Sequence, residues 1–123
     1  MIIIEIIIEQ DERIVWRGAR AMRELILKDE TSKQQCVDNR IDELLLDLLV
    51  RFSHDPVVQS HCIRLLGAFA FGNDLFRRRA GEKGGMRCLV TAMDIHCMDE
   101  SVQMHICTAI TNFTHNSLEN RSR

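Results

Sequence analysis

An all-α solenoid is the fold class this sequence predicts, and three observations carry the prediction. A gap-free shift of 44 residues lays the chain on itself twice, aligning Asp11 with Asp55 and Asp99, Ile14 with Val58 and Val102, Ala21 with Leu65 and Ala109, and Leu25 with Phe69 and Phe113. A fixed period in that range marks stacked supersecondary units. Counted from Val58, the apolar positions Val58, Cys62, Leu65, Leu66 and Phe69 draw one stripe along an α-helix, a spacing that a strand cannot use. Composition agrees: six glycines, one proline and no tyrosine in 123 residues leave β-hairpins short of turn and strand residues.

The elements follow in order. Met1 to Glu9 is mostly isoleucine, which favours sheets by propensity. The same shift, however, places Ile4 and Ile8 on Leu48 and Phe52 and sets Glu5 and Glu9 on one helix face, so the run reads as the medium helix of a truncated first unit. A long helix follows Asp11, whose carboxylate suits the free N–H groups of a first turn, and Asp55 and Asp99 open two more. Pro56 takes the first helical position of the second, while Glu12 and Glu100 take it in the others and face the positive end of the dipole. Gly72 and Asn116 suit the left-handed residue that closes a helix, a rule that Lys28 breaks in the first copy. Residues near 31–38 and 74–82 have room for one short helix each. A medium helix is drawn by Ile41, Leu44, Leu45, Leu48, Leu49 and Phe52; Met86, Leu89, Val90 and Met93 match it at an offset of 44 or 45, with Gly84-Gly85 as the turn leading in. Lys33, Arg77 and Arg121 keep the period as well.

These residues carry a family resemblance. Gly84-Gly85-Met86-x-x-Leu89-Val90, then Asp99-x-x-Val102-Gln103-x-His105-x-x-x-Ala109-Ile110-x-Asn112-Phe113, resembles an armadillo repeat, and Asp55 to Phe69 gives the second string again. HEAT repeats share the length and the helix pairing, but the Gly-Gly and the short extra helix favour armadillo. The resemblance implies a right-handed superhelix of about two and a half to three repeats. It forms a single domain over residues 1–123, with a truncated unit at about 1–27 and full units at about 28–72 and about 73–123.

In armadillo proteins the long helices line a concave groove, so the resemblance assigns their polar faces to partner contact. By spacing, Arg17, Arg20 and Glu24 form one row, His61, Arg64 and Ala68 the next, and His105, Thr108 and Asn112 the third. Asn112 matches the asparagine that bonds the backbone of an extended bound peptide. Glu24 and Ala68 depart from it, and no tryptophan stands one turn before any of the three, so the tryptophan and asparagine arrays of the nuclear-import armadillo adaptors are absent. Five donors or partial positive charges against Glu24 favour an acidic, serine-rich or phosphorylated segment. The reading is a non-catalytic protein-binding module or scaffold. Its alternative is a structural stretch of a longer armadillo or HEAT array with no groove of its own.

Charge and cysteine usage narrow the other classes. Sixteen basic and eighteen acidic residues leave a formal charge of -2, so no global field draws the chain to nucleic acid or to an anionic membrane. The opening isoleucine run lacks basic residues and is too short to span a bilayer. Five widely spaced cysteines without a C-x-x-C pair argue against a disulfide framework and a zinc ribbon, and place the chain in a reducing compartment, cytoplasmic or nuclear. No cofactor is expected: His61-Cys62 and His96-Cys97 offer no ligand pair one turn apart, and neither a P-loop nor a nucleophile elbow occurs. Arg77-Arg78-Arg79 with Lys83 reads as a solvated charge cluster, and the sequons at Asn112 and Asn120 as coincidence. An uncapped, oily start predicts self-association through the repeat ends.

Overall fold

In the computed structural model residues 11–115 are described, and they fold into seven helices with no strand among them. The order is α1 (Glu12–Lys28), α2 (Glu30–Asp38), α3 (Ile41–Arg51), α4 (Pro56–Ala70), α5 (Asp74–Glu82), α6 (Gly85–Ile95) and α7 (Glu100–Thr114). Helices α2 to α4 and α5 to α7 are thus two copies of short, medium and long, preceded by one long helix. The long helices form the spine, α1 packing along α4 and α4 along α7, while α3 and α6 pack on the long helix that follows each. The medium-helix reading of residues 1–9, the stop at Asn116, and Asn120 and Arg121 lie outside the described residues.

Backbone groups left open at helix ends are satisfied by side chains that recur every 44 residues. Asp11, Asp55 and Asp99 are the N-caps of α1, α4 and α7, all with extended backbone, and their carboxylates accept from Arg13 N, from Val57 N and Val58 N, and from Val102 N. Gln59 Nε2 donates to the carbonyls of Leu49 and Phe52 at the end of α3, both at 3.0 Å. Gln103 Nε2 repeats this at the end of α6, to Met93 at 3.1 Å and His96 at 2.8 Å. Lys33 Nζ donates to the Phe71 carbonyl at 2.6 Å, and Arg77 Nη1 to the His115 carbonyl at 3.1 Å. The short helix thereby closes the end of the long helix in its own unit. Lys33 and Arg77 are buried to do so, which explains why a basic residue keeps this period: only a cation on a long stem can reach those carbonyls from within.

The structure sharpens the sequence reading at two points and corrects it at one. The offset between the medium helices is 44 throughout, because Arg40 and Gly84 occupy the same left-handed position before α3 and α6, at φ 60° and 91°. Leu45 therefore matches Leu89, and Val90, a core residue under the 45-residue alternative, is half exposed. The arginine run is not a solvated cluster: Arg77 closes α7, also pairing with Asp74, and only Arg78 faces water. Arg79 reaches Asp42 at 2.6 Å and the Val37 carbonyl at 2.6 Å. Finally, α1 ends without a left-handed residue: Asp29, in extended backbone, terminates it and at once caps α2 through Thr31 N.

The core runs unbroken from α1 to α7. Phe69 stacks on Phe76 at 5.3 Å and Phe76 tilts against Phe113 at 6.2 Å, so one aromatic column ties the end of α4 to α5 and α7. Fully burying each such side chain contributes roughly 1.5–3 kcal/mol. The joint between units also holds a buried charge, since Asp42 on α3 is 0 % exposed and accepts from Arg79 and, at 3.0 Å, from Lys83. Burial would raise the Asp42 carboxyl, but those two cations outweigh it and hold the group below its ordinary value of 3.8. Gly67 lets α4 approach α7 closely, a Cβ there standing 3.2 Å from the Ala109 Cα. No helix among the described residues is long and apolar enough to cross a membrane.

Candidate functional site

A groove of about 590 Å³ opens along the faces of α1, α4 and α7 and reaches the start of α2. The helical period brings it together: Arg64, Ala68 and Phe71 follow one another on and just beyond α4, as His105, Thr108 and Asn112 do on α7. Arg64, Ala68, His105, Thr108 and Asn112, all read as contact residues from spacing, line it. Arg17, Arg20, Glu24 and His61 do not. Arg17 lies over the Trp16 ring at 5.3 Å, and Arg20 and Glu24 pair with each other across one turn at 3.6 Å. His61 stacks on Trp16 with ring centroids 5.1 Å apart.

Several lining residues escaped the sequence reading. Arg23 joins the groove from α1, one turn beyond Arg20, and Leu27, Phe71 and Met104 give it an exposed apolar lining, at 62 %, 67 % and 62 % exposure. Nothing in the repeat marked Arg23, since the 44-residue shift aligns it with Gly67 and Thr111, which share neither its size nor its charge. It enters the groove at the first joint between long helices, that of α1 and α4. At the second joint, that of α4 and α7, Asn112 Nδ2 donates to the Gly67 carbonyl at 3.0 Å. One amide hydrogen of Asn112 is thereby committed to the protein's own backbone, leaving the other and the side-chain carbonyl for an occupant. Thr108 returns its hydroxyl to the Met104 carbonyl at 3.2 Å.

The electrostatics are one-sided. Burial lowers the pKa of His105, and Arg64 and Arg23 lower it further, against a smaller opposing pull from Asp99. His61 is lowered by burial first and then by Arg64, Arg20, His105 and Arg23. Arg23 is itself lowered by burial and by Arg64, with Glu24 opposing. Arg64 thus disfavours the charge on Arg23 and on both histidines, an arrangement that a bound anion would relieve. Glu30 is the acid that lines the groove, next to Lys33, whose ammonium is engaged with the Phe71 carbonyl.

Among the described residues no group of three His, Cys, Asp or Glu side chains is placed to hold a metal ion. Cys62 sits on the buried stripe, and burial pushes its thiol up to about 12, far from the reactive thiolate range. Cys97 and Cys107 are exposed and free.

Taken with its groove, the fold defines an all-helical protein built on a 44-residue internal repeat. No family model, no curated protein and no solved structure matches the chain.

Proposed function

We propose that the protein is a non-catalytic, armadillo-type interaction module that holds an extended, acidic segment of a partner protein in the groove of its long helices. The observation behind this reading is the groove itself: exposed apolar side chains, Leu27, Phe71 and Met104, lie beside Arg23, Arg64 and His105. Apolar floor and cationic wall together suit a peptide with acidic and apolar residues, the first steering encounter and the second supplying affinity. A concave superhelical groove and a cytoplasmic or nuclear compartment belong to the same proposal.

The test compares labelled ten-residue peptides rich in Asp and Glu with charge-reversed peptides rich in Lys. Binding of the acidic set, weakening between 50 and 300 mM salt and abolished by Arg23→Glu with Arg64→Glu while helicity is kept, supports the reading; Arg78→Glu should leave it intact. If Arg78→Glu abolishes binding and the groove substitutions do not, recognition lies on the opposite face and the proposal falls. A second reading, that the chain stacks against further helices of a longer array, is favoured by Met98, which stands just before the last described long helix and is 91 % exposed. It predicts that Met98→Glu, outside the groove, raises solubility without affecting peptide capture.

A further inference from the structure

We infer that the groove contains a specific oxyanion site, in which Arg23 and Arg64 together grip the phosphoryl group of a phosphoserine or phosphothreonine in the bound segment. The inference rests on the groove reading above and sharpens it to one chemical group.

Most arginines among the described residues are already engaged. Arg13, Arg20, Arg40, Arg51, Arg77 and Arg79 each pair with a carboxylate, and Arg17 lies over Trp16. Arg23 and Arg64 differ: they come from adjacent long helices into one cavity, both half-buried, and among the described residues no hydrogen bond or ion pair reaches either guanidinium. They are close enough for Arg64 to disfavour the charge on Arg23, and the acid that opposes this, Glu24, is exposed and paired with Arg20. Arg78 and Arg87 also lack partners in the described residues, but both are exposed and neither faces a second free cation across a cavity.

Two partly desolvated like charges held side by side are unfavourable until an anion bridges them. A phosphoryl group carries about −1.5 to −2 charges near neutrality and three acceptor oxygens, which fits two guanidinium forks; a single carboxylate offers two oxygens and one charge. His105 beside Arg64 adds a third donor, and the exposed apolar surface of Leu27 and Met104 lies in the same groove to receive the residues that flank the phosphoryl group. The geometry favours a peptide source over free phosphate because this apolar surface has no use for an inorganic ion.

Three labelled ten-residue libraries, identical except for a fixed central phosphoserine, glutamate or serine, are titrated against the protein, with inorganic phosphate as a fourth probe. The expected order is phosphoserine tightest, glutamate next and serine weakest, with roughly tenfold or more between the first and the last. Arg23→Gln and Arg64→Gln should each remove most of that difference, Arg64→Lys should restore part of it, and Arg78→Gln should change nothing; circular dichroism identifies any variant that fails to fold. Equal affinity for the serine and phosphoserine libraries overturns the oxyanion site while leaving the groove reading in place. Failure of all three libraries to bind overturns both. Inorganic phosphate that binds Arg23 and Arg64 with no preference among the peptides assigns the site to a free anion and overturns the peptide assignment.

Discussion

The two complete units, α2 to α4 and α5 to α7, share one skeleton and differ in what they build on it. Both have the Asp cap, the glutamine that closes the medium helix and the cation that closes the long one, at the same positions. All three bonds answer obligatory backbone demands that any copy of the fold must meet. The groove-facing positions answer no such demand and diverge: Arg64 stands where Thr108 does, and Ala68 where Asn112 does. The core diverges too. Helix α3 buries Ile41, Leu45, Leu46, Leu48 and Leu49, whereas α6 buries Gly85, Leu89 and Ala92 and leaves Val90 half exposed. Repetition marks what folding requires, and difference marks what is free to specialise.

The largest expected effect falls where the units meet. Phe76→Ala empties the middle of the Phe69–Phe76–Phe113 column and should cost about 3–5 kcal/mol in urea unfolding. If the cost is under 1 kcal/mol, the joint between units is not where stability resides. Asp42→Ala leaves Arg79 and Lys83 without their buried acceptor and should cost nearly as much, about 3 kcal/mol. Because the Asp42 carboxyl is held below 3.8, its contribution is fully present above that value and is lost as pH falls through the lower, folded-state pKa. Acid unfolding of D42A should accordingly be less steep than that of the parent below about pH 4.

The shared skeleton is sharpened by a matched pair. Gln59→Ala and Gln103→Ala each remove a donor from two carbonyls and should cost about 1–3 kcal/mol apiece, with Gln59, the more buried of the two, costing more. A reversed order would mean that burial does not govern these caps. The smallest effect concerns His61 and His105. The pKa values of His61 and His105 lie below 6.5 in the folded protein, so folding stability should decline slightly as pH drops from 6.5 toward 5. Binding of an acidic peptide has the opposite sign, since the anion favours protonated imidazole, and affinity should rise over the same interval. His105→Ala should flatten that rise in a titration at pH 7.5 and 5.5, whereas His61→Ala, outside the groove, should flatten it less.

How much could be read from the chain alone differs between skeleton and site. Asp11, Asp55 and Asp99 revealed three equivalent helices because a cap is a local device: the carboxylate and the N–H groups it serves lie within three residues. The apolar stripes gave the helices, and the 44-residue spacing of Lys33 and Arg77 was visible though its purpose was not. Glycine before α6 suggested the turn there, yet Arg40 adopts the same left-handed geometry before α3, which composition gives no reason to expect.

The groove was legible only in part, because lateral neighbours on stacked helices do not fall at the repeat distance. Trp16 meets His61 and Gly67 meets Asn112 across 45 residues, while Arg23 and Arg64 act on each other across 41. Sequence by itself determined which residues share a helix face, because that follows from 3.6 residues per turn. Tertiary structure alone decided which faces look at one another. That depends on the stagger and roll of each long helix against the next, with Gly67 allowing the close approach at the α4–α7 joint, and packing of this kind is a property of two surfaces together. It turned Arg20 outward to Glu24 and brought Arg23 into the groove beside Arg64.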